Sequence, residues 1–410
     1  MLEVSTRILY APILMGRRNY FRASDLRGLN RLANGAIVGL TELVEAMHHT
    51  ILRTPSVFGR SPRGRTNGIT GLVYRSVRGV TRAVGVGVDA LLGALAPLIA
   101  EKRSSQEREA VVAALNGVLG DYLVTSGNPL AIPMCFRAAG VPLCIDRAAL
   151  AAAFPDPGRK VIVLVHGLCM NDLQWNRDGH DHGAALARDL GYTPIYLHYN
   201  TGRHIAANGR DFAALLEMLV REWPQPLERL AIVGHSMGGL VARSACHLGA
   251  LSGHKWPELL QDLIFLGTPH FGAPAERAGA KADFLLGISP YSAPFARMGK
   301  IRSAGIKDLR HGNLGNRPPL PDGVRCYAIA ASRQQRASSG SRIRGDGLVP
   351  VNSALGHHRD ASLSLALPDD HRWVGYGMGH FDLLRRQEVY DRIRSWLAAN
   401  RGTLIASHPR

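Results

Sequence analysis

The chain has 410 residues, of which 46% are hydrophobic and 20% are charged, so it can form a large buried core and is not an intrinsically disordered protein. Lysine and arginine number 49 against 32 aspartate and glutamate residues, which gives a net charge of +17. That charge fits an acidic partner such as an anionic lipid surface. The basic residues are spread out and form no recognisable nucleic-acid-binding module, so we expect no nucleic acid partner.

Cysteine usage and the first residues of the sequence bear on the compartment. The five cysteines are scattered and form neither a metal-binding spacing nor a dense disulfide pattern, which indicates a reducing compartment. The first apolar run, residues 8–15, precedes a pair of arginines, the reverse of the order in a secretory signal, and it is too short to span a bilayer. We therefore expect a cytoplasmic protein, with peripheral membrane contact as an open alternative. His180 and His182 lie in a polar segment typical of solvated side chains, and we expect neither a metal nor another cofactor.

Residues 1–125 contain no strand pattern and are predicted to form a helical N-terminal extension. Residues 36–53 have a helical pattern, and over residues 69–95 apolar side chains recur in steps of three and four, which predicts a long amphipathic helix. Three arginines lie off its apolar stripe: Arg75, Arg78 and Arg82. Two interpretations stay open. The helices pack on the main domain, or the second helix lies on a membrane surface with its arginines near anionic headgroups.

Residues 126–400 alternate between short apolar runs and helical stretches. A hairpin is predicted over residues 132–145, and residues 161–165 (VIVLV) are typical of a strand buried on both faces. Further strands are predicted at residues 193–199, 230–233, 263–266 and 325–331. Strands that alternate with helices indicate an α/β fold with a mostly parallel sheet flanked by helices.

The most informative segment is a strand that runs into Gly234-His-Ser-Met-Gly238 and is followed by a helix. This is the Gly-x-Ser-x-Gly pattern in the strand–turn–helix context that gives it meaning. The small residues two positions on either side permit a sharp turn, which projects the Ser236 hydroxyl beyond the sheet at the start of a helix. Ser236 is therefore the candidate nucleophile.

A serine nucleophile needs a base, and the base needs an orienting acid. If the chain order is serine, acid, histidine, the base comes late in the sequence, and His380 in a glycine-containing loop is the best candidate. Asp346, between two glycines, is the candidate acid, with Asp369 and Asp370 as alternatives. His371 lies in a charged stretch that favours a solvated side chain.

The tetrahedral intermediate of such a reaction also needs donors for its oxyanion. The loop after the strand at residues 161–165 contains His166, Gly167 and Leu168. We expect the backbone amides of Leu168 and Met237 to form the oxyanion hole, and His166 to hold the loop by hydrogen bonds.

Five segments together resemble the α/β-hydrolase superfamily, and within it the lipase and GPI inositol-deacylase-like esterases. They occur in the family's order: VLVHGL (163–168), VGHSMGG (233–239), LGTPHFGAP (266–274), DGLVPV (346–351) and GHFDLL (379–384). The resemblance implies an α/β-hydrolase catalytic domain over residues 126–400, a Ser236–Asp346–His380 triad and an oxyanion hole from Leu168 and Met237. It also implies a cap at about residues 275–321, whose apolar side chains either line an acyl pocket or only pack the cap onto the domain: Phe284, Leu285, Leu286, Ile288, Tyr291 and Phe295.

The leading functional hypothesis is a lipase- or esterase-like serine hydrolase that cleaves a carboxylic ester with an apolar acyl group through an acyl-enzyme. An acyltransferase, or a hydrolase of thioesters or polyesters, would use the same triad, and the fold does not decide among them. A non-catalytic protein that binds lipid surfaces through its basic N-terminal helices is the hypothesis of another class.

Overall fold

A computed structural model describes residues 23–53, 68–95, 105–272, 303–311, 318–335 and 345–399. The chain divides into two compact units, Met1–Arg108 and Glu109–Arg410. The division falls before the predicted boundary between residues 125 and 126. The reason is the helix Gln106–Thr125, most of which packs within the second unit.

Three helices come first among the described residues, and strands then alternate with helices. The helices are α1 (Ala23–Arg53), α2 (Gly68–Leu95), α3 (Gln106–Thr125), α4 (Arg147–Ala153), α5 (His182–Leu190), α6 (Ile205–Glu222), α7 (Met237–Leu251), α8 (Trp256–Leu259), α9 (Ala304–His311), α10 (Val351–Ala354) and α11 (Gln387–Ala399). The strands are β1 (Cys135–Ala138), β2 (Val141–Pro142), β3 (Lys160–Val165), β4 (Thr193–His198), β5 (Arg229–His235), β6 (Leu260–Leu266), β7 (Arg325–Ser332) and β8 (Arg372–Tyr376). Short 3-10 helices cover Asp172–Trp175, Ala361–Leu363, Asp369–His371 and His380–Leu384.

The first unit contains α1 and α2, which run antiparallel. Arg27 near the start of α1 bonds to Asp89 near the end of α2, while Glu45 further along α1 forms a buried ion pair with Arg78. The helix predicted over residues 36–53 therefore begins earlier in the chain. Arg78, which the sequence pattern assigned to an outer basic side, lies instead in the seam between the two helices.

The second unit is built on an eight-stranded sheet in the order β2-β1-β4-β3-β5-β6-β7-β8. β1 pairs antiparallel with β2 and with β4, and all other pairs are parallel. The predicted hairpin is present as β1 and β2, with shorter strands than expected. β8 was not predicted, because its sequence RWVGY follows a charged segment and carries no alternation of apolar and polar residues.

Helices cover both faces of this sheet, and the apolar runs of the strands explain why. Val161 to Val165 of β3 are fully buried, which requires packing on each side. One face packs against α6 and α7 through side chains such as Phe212 and Val241, and the other packs against α5 and α11 through Leu186 and Ile393. This architecture confirms the predicted α/β-hydrolase fold class.

The strand register brings the ends of the parallel strands to one rim of the sheet. Val165 of β3 lies opposite Gly234 of β5, and His235 of β5 lies opposite Leu266 of β6. Loops that leave these ends are therefore neighbours, as expected for the ligand-binding edge of a parallel sheet.

Part of the predicted cap falls outside the described residues. This applies to residues 275–302 and 312–317, and with them to all six apolar side chains that were assigned to an acyl pocket. α9, which lies within the predicted cap range, packs on the second unit through Ile306, next to Val118 and Cys169. Among the described helices, none combines the length and the apolar character needed to cross a membrane.

Candidate active site

Ser236 occupies a sharp turn between β5 and α7. Its backbone has φ +54° and ψ −123°, a conformation that is strained for a residue other than glycine. The neighbouring glycines make the turn possible: a Cβ on Gly234 would lie 2.5 Å from the Cα of Gly239, and one on Gly238 would lie 2.2 Å from the carbonyl oxygen of Val165. Side chains at these positions would push α7 away from the sheet. The turn is thus held by close packing around the serine.

Asp346 and His380 form a buried pair. His380 Nδ1 lies 2.7 Å from Asp346 Oδ2, and both residues are at most 4% exposed. The other carboxylate oxygen, Oδ1, accepts hydrogen bonds from the amides of Leu348 and Val349, each at 2.8 Å. Because an ionised carboxylate can only accept, Nδ1 of His380 is the donor of this bond, which leaves Nε2 as the acceptor nitrogen of a neutral ring. This is the tautomer that a general base requires.

The corner after β6 brings the serine and this pair to the same place. The backbone amide of Ser236 donates to the carbonyl oxygen of Leu266 at 2.8 Å. The next residue, Gly267, has φ +59°, and a Cβ on it would lie 3.1 Å from Cε1 of His380. Any larger residue at 267 would press on the imidazole.

Ser236 Oγ makes no hydrogen bond to another described residue, so a serine–histidine bond is not formed in this structure. Catalytic hydrogen bonds are often long without a substrate and tighten when the substrate binds. The structure thus joins two members of the predicted triad directly and brings the third to the same rim of the sheet.

The loop after β3 packs against the serine turn. A Cβ on Gly167 would lie 3.0 Å from the Cβ of Ser236, so the loop passes the nucleophile closely. Cys169 has φ +59°, and its amide donates to Oγ1 of Thr201 at 3.1 Å, which holds the loop in this shape. The amides of Leu168 and Met237 donate to no described residue, while Leu168 is partly exposed and Met237 is fully buried.

His166 is fully buried under this loop and has a structural environment. Its Nδ1 lies 3.0 Å from the carbonyl oxygen of Gly167, and its ring stacks on Tyr199 with ring centroids 4.5 Å apart. Burial lowers the pKa of His166 to about 3, so the ring is neutral at physiological pH. These contacts hold the loop, as expected from the sequence.

The alternative acids and base lie elsewhere. Asp369 and Asp370 precede β8, at the end of that strand opposite the site, and Asp369 pairs with Arg372. His371 bonds through Nδ1 to the carbonyl oxygen of Cys326 at 2.9 Å, at the start of β7. None of these side chains contacts the His380 ring.

His235 has a place in the site that sequence reasoning missed. It is fully buried, its Nε2 donates to the carbonyl oxygen of His380 at 3.2 Å, and the two rings have centroids 4.7 Å apart. Burial, together with the nearby His380, holds the pKa of His235 well below its ordinary value. A neutral His235 therefore supports the loop that carries His380. Its position inside the Gly-x-Ser-x-Gly pattern was the only signal in the sequence.

α3 was assigned to the N-terminal extension, yet its second half forms a wall behind the loop after β3. A Cβ on Gly117 would lie 2.2 Å from Sγ of Cys169, and one on Gly120 would lie 1.9 Å from Oδ1 of Asn200. The hydroxyl of Ser303 donates to the carbonyl oxygen of Gly117 at 2.6 Å. Gly117 therefore allows α3 to lie directly against the loop after β3, and Gly120 allows it to lie against the segment that follows β4.

A buried charge cluster continues this wall. Arg137 Nη1 lies 3.0 Å from Glu109 Oε2 and 3.1 Å from Asp172 Oδ1, and Asp172 Oδ1 lies 3.1 Å from Nδ1 of His198. Asp172 begins the 3-10 helix that follows the loop, so the cluster ties α3, β1 and β4 to it. These residues are far apart in the sequence, and no local pattern could have grouped them.

His180 and His182 were expected to be solvated, and this was wrong: His180 is partly buried and His182 is fully buried. The two rings bond to each other, with His180 Nε2 2.8 Å from His182 Nδ1. His182 Nε2 in turn donates to the carbonyl oxygen of Leu383 at 2.9 Å. Burial lowers the pKa of His182 to about 4. Among the described residues, no group of three or more histidine, cysteine or acidic side chains is arranged to hold a metal ion.

The serine turn and the loop beside it belong to a segment that is similar to a known family. Residues 156–302 match the family described as the PGAP1-like alpha/beta domain. The chain has an α/β-hydrolase fold. The match includes the serine turn and the loop with Leu168, and it ends before Asp346 and His380. The resemblance seen in the sequence is thus confirmed.

Several solved structures are similar at low identity. The mature lipase BlEst2 of Bacillus licheniformis is 19% identical with a TM-score of 0.42, and the match covers 59% of this chain and 93% of that chain. The esterase Pf2001 of Pyrococcus furiosus is 14% identical with a TM-score of 0.39, covering 59% and 81%. Lipase B of Aspergillus fumigatus is 14% identical with a TM-score of 0.36, covering 61% and 57%. No curated protein sequence matches the chain.

Proposed function

We propose that this chain is a serine hydrolase that cleaves carboxylic esters with apolar acyl groups. The observation that carries the proposal is the buried pair of Asp346 and His380 beside a serine in a strained strand-to-helix turn. A turn with only a structural role needs neither a strained serine nor a buried histidine–carboxylate pair at the same rim.

The proposed reaction starts at the Ser236 hydroxyl. Nε2 of His380 takes the hydroxyl proton while Oγ attacks the ester carbonyl carbon, and Asp346 stabilises the imidazolium that forms. The tetrahedral intermediate collapses to an acyl-serine, and His380 returns the proton to the leaving alcohol. Water then attacks the acyl-serine with the same histidine as base, and the acid is released.

The negative charge of the intermediate would be stabilised by backbone donors. The amides of Leu168 and Met237 are free of other acceptors among the described residues, and Met237 begins α7, where the helix dipole favours negative charge. Such preorganised donors are each worth about 10²–10³-fold in rate.

Apolar side chains beside the same loop favour an apolar acyl group. Leu168 packs with Val118, Leu119 and Ile306, which together make the neighbourhood of the oxyanion donors hydrophobic. Val118 and Ile306 are already buried, whereas Leu168 and Leu119 are partly exposed. An acyl chain that leaves the carbonyl in this direction would displace water from Leu168 and Leu119, and its burial would favour binding.

Covalent labelling tests the nucleophile. We expect a fluorophosphonate probe to form one adduct on Ser236 in the folded chain, as measured by intact mass and peptide mapping. Ser236→Ala should abolish the adduct and lower kcat for p-nitrophenyl esters by about 10⁴-fold or more, with an unchanged melting temperature.

Ser244→Ala is the matched control, because Ser244 is also a buried serine but lies within α7, away from the turn that holds Ser236. This variant should keep both the label and the turnover. Folded wild-type protein that forms no adduct would refute the proposal and favour a non-catalytic protein. Esters of rising chain length would then measure the acyl preference.

A further inference from the structure

α2 carries an apolar face that α1 does not cover. From Val73 to Val88, valines recur every three or four residues and therefore lie along one side of the helix. Further exposed apolar residues lie beside them. We name this set the valine face: Leu72, Val73, Val77, Val80, Val84, Val86 and Val88. Their exposed fractions range from 38% at Val88 to 69% at Val86. A contiguous apolar surface of this kind marks an interaction site in a folded protein.

The seam between α1 and α2 explains why this face is left uncovered. Arg78 and Glu45 pair there with side chains only 3% exposed. Asp89 accepts from Arg27 at 3.0 Å and from Arg31 at 2.7 Å. An ordinary helical hairpin places apolar side chains in its seam and charges outside. This hairpin does the reverse, so its own pairing does not use the valine face.

The charges around the valine face are positive. Asp89 is the only acidic residue of α2, and it is turned toward α1. Arg75 and Arg82 are exposed on the same helix, and Arg82 contacts Glu42 only in a solvent-exposed pair at 3.9 Å, which contributes little. A partner for this surface is therefore apolar and negatively charged.

An anionic lipid surface meets both conditions. Its acyl region accepts the valines, while arginine side chains reach up to the anionic headgroups. A second copy of the chain would bring another α2 with the same exposed arginines, and the exposed carboxylate next to it, Glu42 of α1, already faces Arg82 of its own copy. A second copy therefore offers little complementary charge. The net charge of +17 favours the same choice.

We propose that the valine face of α2 docks on an anionic lipid surface, with the helix lying in the plane of the interface. α2 does not cross the membrane, in agreement with its hydropathy. The inference depends on the geometry of the first unit and not on the esterase function proposed above.

Co-sedimentation of the full chain with vesicles tests the docking. We expect binding to vesicles of phosphatidylcholine with phosphatidylserine, and weaker binding to phosphatidylcholine alone. The double variant Val80→Asn/Val84→Asn should weaken the affinity for the mixed vesicles by about tenfold or more. The reason is that two apolar side chains are no longer transferred from water into the lipid on binding. Valine and asparagine have similar helix propensities, so the hairpin should persist, as checked by circular dichroism.

Leu251→Asn is the matched control, since Leu251 is 71% exposed on α7 and should not affect binding. Arg75→Gln/Arg82→Gln should remove the preference for phosphatidylserine and the salt dependence of binding. Vesicle binding by Val80→Asn/Val84→Asn equal to wild type would overturn the proposal. A dimer in solution that this variant dissolves, without vesicle binding by wild type, would overturn it in favour of a second copy. Because no turnover is measured, a failure of the esterase proposal leaves this test unaffected.

Discussion

In the second unit the apolar side chains of the strands face inward, whereas in the first unit the apolar side chains of α2 face outward. Val163 in β3 is fully buried between two helical layers, while Val80 in α2 is 64% exposed. Both lie in regular apolar patterns. The spacing of apolar residues therefore predicts the type of element in both units. It does not predict that the apolar face is buried, because burial depends on whether other elements cover that face.

Buried charges differ between the units in the same way. In the second unit, Asp262 is fully buried and pairs with Arg229 and Arg325, at the strand ends away from the candidate site. There the ion pairs lie beside a large apolar core. In the first unit, the ion pair of Arg78 and Glu45 is part of the contact between the two helices itself, so that contact depends on charge.

The largest expected effect concerns chemistry, which we assign to the second unit. Asp346→Asn should lower kcat for p-nitrophenyl esters by about 10⁴-fold, because the amide would donate to Nδ1 of His380 and move the proton to Nε2. Asp369→Asn, in an alternative acid exposed to solvent, should leave kcat unchanged. Activity of Asp346→Asn within tenfold of wild type would contradict the assigned acid.

One substitution made in both units tests the comparison directly. Val163→Asn should lower the free energy of unfolding of the second unit by about 4–5 kcal/mol, since it places an unpaired amide in the core. Val80→Asn should change the free energy of opening of the first unit by about 0.5 kcal/mol or less, as an exposed site. Urea unfolding and hydrogen exchange of α2 peptides measure the two. Similar losses at both positions would mean that the valine face is covered.

A third prediction concerns the seam of the hairpin. Glu45→Gln leaves the Arg78 guanidinium buried without its counter-ion, which should lower the free energy of opening by about 3 kcal/mol. Hydrogen exchange of α1 and α2 peptides measures this loss. The double variant Glu45→Leu/Arg78→Met should recover most of it, because two apolar residues can replace a buried pair. Unchanged exchange in Glu45→Gln would show that the pair is not part of the seam in solution.

The smallest effect is a pH dependence that separates the units. The pKa of His182 falls from its ordinary 6.5 to about 4 on burial, so the unfolded chain binds more protons and stability is lost as pH drops from 6.5 toward 4. His182→Gln should reduce the loss of unfolding free energy between pH 7 and pH 5 by about 2 kcal/mol. The bonds from Arg31 and Arg27 hold the pKa of Asp89 well below its ordinary value, so the seam keeps its charge at pH 5.

Urea unfolding at pH 7 and pH 5 measures the stability of the second unit. Hydrogen exchange of α1 and α2 at the same pH values measures the opening of the first unit. An equal pH dependence in wild type and His182→Gln would contradict a neutral buried ring at position 182. Opening of α1 and α2 at pH 5 would contradict the ionised seam.

Much of the candidate site could be predicted because its signals are local. The Gly-x-Ser-x-Gly pattern depends on close packing around one turn. The glycines at 234 and 238 indicate this packing in the sequence, because no larger residue fits at either position. The parallel sheet followed from apolar runs long enough to be buried on both faces. β8 was not predicted, because four of its five residues are only half-buried and its sequence has no alternation of apolar and polar residues. The contacts of His235 and the packing of α3 behind the loop after β3 were not predicted, because their partners lie far away in the chain.

The amino-acid sequence by itself determined most of the elements of this protein: the parallel strands other than β8, the longest helices, and the turn that presents a serine. It could do so because side-chain spacing along one element follows from backbone geometry. Tertiary structure alone decided that Asp346 and not Asp369 meets His380, that α3 packs with the second unit, and that α2 turns its charges inward. Those outcomes depend on which distant elements pack together, and no spacing within a single segment encodes that.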